Sequence, residues 1–286
     1  MHIGGNRMEK LLITGGSGFV GSRIMEYYKG KYKIYAPSHQ ELDITDEKSV
    51  SAVMKRENPQ YVIHCAAVSD TGKCEKEPEL SWNINVNGCR NMAKAAKEIG
   101  AKCLICSSDQ VYFGSTKMGA HDESEELSPA NVYGREKLQA EKECLQVNPD
   151  CVLLRLAWMY DKECKNPKEH GDFLRTLLVK LKNKEELMYP VYDMRGITDV
   201  QEVVKNMEKA FALPGGVYNF GSPNDKSTYE TVKILFEAVG IDTDLIHKNQ
   251  EAFLTQPRNL TMSQEKIEQY GIKFLSTVSA LINNMK

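Results

Sequence analysis

Residues 14–21 read Thr-Gly-Gly-Ser-Gly-Phe-Val-Gly and follow directly on the apolar run Lys10-Leu11-Leu12-Ile13. Glycines at 15, 18 and 21 let the chain turn sharply out of a strand. They also let an anion approach the start of the next helix, where N–H groups and the helix dipole favour negative charge. The strand–turn–helix context is what gives such a pattern meaning. The stretch therefore predicts a dinucleotide-binding βα unit that opens a parallel sheet. The bland alternative is a tight βα turn with no ligand.

Strand and helix signals alternate from there to about residue 156. A helix is expected over about Phe19–Tyr28 and a strand over Lys33–Ala36. Thr45 or Asp46 caps a helix to about Asn58, and Tyr61–His64 is the third strand. A loop with Gly72 and Pro78 leads to one long helix ending near Gly100. The fourth strand holds Leu104 and Ile105, a helix covers Asn131–Val147, and Cys151–Leu156 is another strand. Such alternation implies a Rossmann-type, doubly wound α/β sheet. Later helices are expected at about Asp172–Asn183, Val200–Ala212 and Tyr229–Val239, with a Ser227/Glu230 capping box. Short strands fall near Leu187–Tyr189 and Val217–Phe220. With 286 residues, two domains are expected at ~150 residues each. They are a dinucleotide-binding domain over 8–160 and a smaller α/β substrate lobe over 161–286, the chain being free to cross back to the sheet.

Charge is nearly balanced, 37 basic against 39 acidic side chains, which argues against a nucleic-acid partner. No apolar run approaches the ~18 residues of a membrane helix. Met1–Lys10 lacks a signal-peptide core and reads as a short leader, with Met8 as an alternative start. Eight cysteines without such a signal point to free thiols and a cytoplasmic setting. In a strand, Cys103 and Cys106 point to opposite faces and share no metal. The histidines show no ligand spacing, so no metal site is expected.

An acid gripping the adenosine ribose would fall about 20 residues beyond the first glycine. Tyr35-Ala36-Pro37-Ser38-His39 stands there instead. The missing carboxylate favours NADP(H), with NAD(H) left open and His39 or Arg23 as helpers for a 2′-phosphate. Asp43 and Ile44 are placed to edge the adenine; a loop or capping role for Asp43 is equally expected.

Tyr133 and Lys137 form a YxxxK pair. Residues four apart share a helix face, and a nearby ammonium favours ionisation of the phenol, as a tyrosine acid/base requires. The spacing alone is weak, because Tyr27/Lys31 and Tyr229/Lys233 share it. Position selects Tyr133, which follows the fourth strand and its end Ser107-Ser108-Asp109-Gln110.

These stretches together resemble the extended short-chain dehydrogenase/reductase superfamily, and more closely the dTDP-4-dehydrorhamnose reductase family. The likeness runs through Leu42-Asp43-Ile44-Thr45-Asp46, Val62–Ala67, Asn85-Val86-Asn87-Gly88, Ser107-Ser108-Asp109, Asn131–Lys137 and Arg155–Tyr160. It implies that Gly15, Gly18, Phe19, Val20 and Gly21 wrap a pyrophosphate. Asp43 and Ile44 flank adenine, while Cys65, Ala66, Ala67 and Ser107 line the path to the nicotinamide ribose. Lys137 binds that ribose and tunes Tyr133. Tyr133 protonates a sugar C4 alkoxide, Ser108 hydrogen-bonds the same oxygen, and Asp109 belongs to the same catalytic group. Trp158 is implied as a substrate contact.

Related dehydratases carry Asp then Glu after the catalytic hydroxyl. Here Gln110 replaces the base, which disfavours dehydration and leaves an epimerase open. The family's Arg-Pro becomes Gln256-Pro257, with Arg258 next, and its Asp-Gln-x-Gly-x-Pro-Thr is shortened to Asp193–Thr198. Arg195 or Arg258 suits a diphosphate; a surface ion pair is the equal alternative. The sequence thus points to an NADP(H)-dependent reductase of a nucleotide-linked 4-keto-6-deoxy sugar. A non-catalytic NADP(H)-binding regulatory subunit is the alternative, and a homodimer is left open.

Overall fold

The computed structural model describes residues 8–163 and 171–286. Of the leader expected over Met1–Lys10, residues 1–7 lie outside the described residues, as does Cys164, and Lys10 belongs instead to the first strand. Strand β1 (Lys10–Thr14) buries Leu11, Leu12 and Ile13 completely and feeds helix α1 (Phe19–Tyr28). After β2 (Lys33–Tyr35), α2 (Glu47–Glu57) starts where the Asp46 carboxylate accepts from Lys48 N. It stops where Asn58 enters the left-handed region at φ 46°. Strand β3 (Tyr61–His64) follows.

The next segment differs from expectation. Gly72 lies inside a short helix, α3 (Thr71–Lys76), and Pro78 begins another, α4 (Pro78–Trp82). A π-helical turn at Asn83–Gly88 then leads into α5 (Cys89–Glu98). Proline suits the first helical position but not an interior one, so Pro78 separates α3 from α4. From Pro78 the chain stays helical to Glu98, the long helix expected there, with a π-helical stretch in its middle. Strand β4 (Lys102–Ser108) ends in a 3₁₀ turn at Asp109–Tyr112, followed by α6 (Val132–Val147), β5 (Val152–Leu156) and β6 (Trp158–Tyr160).

The remaining elements are α7 (Phe173–Lys182), β7 (Leu187–Pro190), β8 (Asp193–Arg195), β9 (Ile197–Asp199), α8 (Val200–Ala210), β10 (Gly216–Phe220) and α9 (Thr228–Val239). They close with β11 (Ile246–Asn249), β12 (Arg258–Leu260), α10 (Glu265–Glu268) and α11 (Thr277–Met285). The Ser227/Glu230 capping box is present at α9. No described helix is long and apolar enough to cross a membrane.

Six strands form one sheet in the order β10-β5-β4-β3-β1-β2. β1 pairs in parallel with β2 on one side and β3 on the other, and β3 pairs in parallel with β4. The winding reverses between β1 and β3. In open α/β sheets, ligands bind beyond the carboxyl ends of the strands at such a reversal. Those ends carry the glycine turn and Cys65–Ala67.

The chain forms two compact units that interleave in sequence. The first comprises residues up to Cys106, Gln139–Leu153 and Ala210–Gly216. The second comprises Ser107–Leu138, Leu154–Lys209 and Val217–Lys286. A single cut after residue 160 does not describe this partition, because the chain returns to the first unit at 210–216. Within the first unit, Tyr28, Tyr32, Tyr61 and Phe211 pack in edge and tilted contacts of 4.5–5.6 Å from ring to ring. Within the second, Tyr160, Phe173, Leu187, Ile197, Phe236 and Leu281 belong to one buried cluster. Three parallel strand pairs, β6–β9, β7–β11 and β8–β12, accompany it.

Candidate active site

In the first unit the glycine turn is built so tightly that side chains have no place in it. Gly15 takes φ +70°, and a Cβ there would stand 2.7 Å from Ala66 N; a Cβ on Gly21 would stand 2.1 Å from Gly15 O. Gly18 sits at the helix N-cap, and no side chain caps the first turn of α1, which begins with Phe19 and Val20. The N–H groups of such a first turn are the donor set a dinucleotide pyrophosphate needs. The neighbouring β3 end is pinned around it. Ala66 N donates to Thr14 Oγ1, which also contacts His64 Nδ1 at 2.6 Å. The buried Asn85 amide accepts from Val68 N and donates to Val68 O.

The residues expected around the adenosine are placed differently from one another. Asp43 accepts from both N and Oγ1 of Thr45, and these bonds hold its carboxyl below the ordinary value. This is the turn role that was its alternative reading. Ile44 is buried, and a Cβ on Gly88 would meet its Cδ1 at 2.8 Å. The π turn thus seats a glycine against Ile44, and Asn91 Nδ2 donates to Ile44 O. Arg23 is 1% exposed and donates to Phe19 O of its own helix. As folded, its guanidinium is turned inward and is not displayed for a phosphate.

In the second unit, Ser107 and Ser108 end β4, both buried. Ser108 Oγ donates to Asp109 Oδ1 at 3.3 Å and accepts from Gln110 N. Gln110 Oε1 accepts from Asn131 Nδ2, and Asn131 Oδ1 accepts from Gly134 N. These bonds tie the serine end of β4 to the first turn of α6. Gly134 makes the approach possible, since a Cβ there would fall 2.3 Å from Gln110 O. Tyr133 precedes it, and the Lys137 ammonium lies 5.7 Å from the centre of the Tyr133 ring; both side chains are buried. Motif reading had quoted Gln110 and the stretch Asn131–Lys137 but not the bonds by which Gln110, Asn131 and Gly134 position one another, although the glycine directly after the tyrosine was a usable signal.

The two arginines are engaged by carboxylates. Arg195 Nη2 donates to Asp109 Oδ2 at 3.2 Å, and its guanidinium stacks 4.8 Å from the centre of the Trp158 ring. Burial pushes the Asp109 carboxyl up from its ordinary value, with Arg195 the largest opposing influence. Arg258 forms a two-pronged pair with the buried Asp193, at 2.7 and 2.8 Å, and lies 4.1 Å from the Phe253 ring. Both therefore make the ion pair that was the alternative reading, with a buried carboxylate rather than at the open surface. Trp158 stays 37% exposed beside Arg195, an aromatic face open to a ligand. The other YxxxK pairs lie elsewhere. Tyr27 stacks with Lys31 just past the end of α1, and Lys233 on α9 faces Glu237.

Comparison with known proteins gives the family and the fold. The dTDP-4-dehydrorhamnose reductase of Aggregatibacter actinomycetemcomitans is 27% identical over 285 residues, covering 93% of this chain and 95% of that one. The methionine adenosyltransferase 2 subunit beta of Xenopus laevis is 26% identical over 283 residues, covering 92% and 83%. Among solved structures, the dTDP-4-dehydrorhamnose reductase of Bacillus anthracis in complex with NADP aligns with a TM-score of 0.86 at 25% identity, covering 98% of this chain and 99% of that one. With the glycine turn, the serine end of β4 and the Tyr133–Lys137 helix each in place, and with residues 8–285 matching throughout, the chain belongs to the RmlD substrate binding domain family.

Proposed function

We propose that this protein is an NADP(H)-dependent reductase acting on the keto carbon of a nucleotide-linked 4-keto-6-deoxy sugar. The observation that carries the reading is the bonded run from Ser108 through Gln110 and Asn131 to Gly134, beside Tyr133 and Lys137. NADPH, when bound, supplies hydride. Gly15, Gly18, Phe19, Val20 and Gly21 hold its pyrophosphate; Cys65, Ala66, Ala67 and Ser107 border the nicotinamide ribose, with Asp43 and Ile44 toward the adenine. Tyr133 gives its proton to the sugar oxygen as charge develops there, and Ser108 hydrogen-bonds the same oxygen. Lys137 places a positive charge beside the phenolate that remains. Asp109, held by Arg195, keeps Ser108 oriented. Trp158 offers a stacking face to the substrate, and Arg195 and Arg258 offer cations to its diphosphate.

The test is steady-state reduction of dTDP-4-keto-6-deoxy sugars by the wild type and by Tyr133→Phe. Loss of a general acid costs typically ~10²–10⁴-fold in rate, with NADPH binding retained. Equal, near-zero rates in both proteins, with NADPH bound tightly, would sink the reading. They would favour a second one, a regulatory subunit that binds NADP(H) without turnover. The observation favouring it is the likeness to methionine adenosyltransferase 2 subunit beta over 92% of the chain.

A further inference from the structure

Seven cysteines are described, and five of them, Cys74, Cys89, Cys103, Cys144 and Cys151, are buried. The other two, Cys65 and Cys106, are partly exposed, and their sulfurs lie 3.4 Å apart. The sheet puts them together. β3 and β4 pair in parallel with His64 opposite Ile105, so Cys65 and Cys106 come next in register. In-register side chains of neighbouring strands point to the same face. Strands about 4.8 Å apart hold the two Cα atoms within the ~4.4–6.8 Å that a disulfide spans.

The pair adjoins the glycine turn within the first unit. Cys65 N donates to Thr14 O, and the Cβ position of Gly15 stands 2.9 Å from the Cys65 carbonyl carbon. A crosslink draws the sulfurs in from contact to about 2.05 Å, which moves the Cys65 backbone. The glycine turn is packed on that backbone and moves with it.

We propose that Cys65 and Cys106 form a redox-modifiable dithiol, oxidised by low-molecular-weight disulfides such as glutathione disulfide, and that their crosslink and dinucleotide binding at the glycine turn exclude one another. One thiolate attacks the small disulfide, forming a mixed disulfide and expelling one small thiol. The second thiolate attacks the protein sulfur of that mixed disulfide and expels the other. One Sγ–Sγ bond replaces two S–H bonds; the two electrons reduce the small disulfide, and the two protons leave with its thiols. The exclusion rests on the dinucleotide reading above; the dithiol does not.

The experiment uses reduced full-length protein carrying Cys164→Ser, treated with glutathione disulfide with and without NADPH, and mapped by peptide mass after alkylation. A Cys65–Cys106 peptide is expected. In Cys106→Ser it should be replaced by a stable mixed disulfide on Cys65. With NADPH at 100 times its dissociation constant, set beforehand by fluorescence titration, crosslinking should slow ~100-fold, because only the empty fraction reacts. Absence of the crosslinked peptide would overturn the dithiol. Crosslinking at an unchanged rate in protein saturated with NADPH would overturn the exclusion. If the reduced protein binds no NADPH, the dinucleotide reading fails and takes the exclusion with it, while the dithiol is judged by the peptide formed without NADPH.

Discussion

Asp109 shows how much one residue depends on partners far away in sequence. Its carboxylate is buried beside Ser108, and Arg195 answers its charge from 86 positions along the chain. Removing one member of a buried pair typically costs ~3–5 kcal/mol, and Arg195→Met should destabilise the protein by about that much at neutral pH. The sign with pH follows from the proton. Without the guanidinium, burial raises Asp109 further above its ordinary 3.8, so the folded state keeps a proton that the unfolded state releases. Stability then falls as pH rises through that interval, and the deficit shrinks on acidification below it. Urea unfolding of wild type and variant at neutral and acid pH checks this; a deficit independent of pH would contradict it. The sequence named Asp109, Arg195, Arg258 and Trp158 as candidates but carried no sign of who pairs with whom. Those pairings join distant segments, and no local pattern encodes them.

Elements were legible where their signals are local. α1 was read correctly at both ends from the glycine turn and its apolar face, and α9 from Ser227 and Glu230. The short helix α3 and the π-helical stretch at Asn83–Gly88 were not. That stretch brings Asn85 onto Val68 and Gly88 against Ile44, demands that come from other elements. Two substitutions separate cap from cradle. Ser227→Ala removes the α9 cap and should lower stability by ~1 kcal/mol while NADPH still binds. Gly21→Ala drives a methyl into the Gly15 carbonyl, a backbone atom that cannot step aside, and should abolish NADPH binding. Thermal unfolding with and without NADPH reads both. A Gly21→Ala protein that binds NADPH as tightly as wild type would remove the cradle assignment.

At the scale of the whole molecule, alternation gave the fold class, and the parallel six-stranded sheet agrees with it. A return of the chain to the sheet was allowed for in the sequence, but its place at 210–216 was not legible, because hydropathy along a chain does not record where it crosses between units. Fragments cut at the expected boundary therefore should not fold alone. Residues 8–160 lack 210–216, where Leu213 O accepts from Lys102 Nζ and Phe211 packs on Tyr61. Residues 161–286 lack Tyr160 from their cluster, and also Tyr112, whose hydroxyl donates to Asn219 Oδ1. Circular dichroism and urea titration of each fragment test this; a cooperative transition in either would count against it.

The helix α11 carries this interleaving to its far end. Leu281 is fully buried with Tyr160 and Phe236, Thr277 Oγ1 accepts from Ile197 N, and the Asn284 amide reaches both Tyr160 and Asp199. On the ribosome, the second unit's core stays open until translation has passed Leu281, and the first unit's until it has passed Leu213. Each core therefore closes only when a segment distant in sequence has been made, so folding of either unit follows synthesis of its last contributing segment rather than of its first.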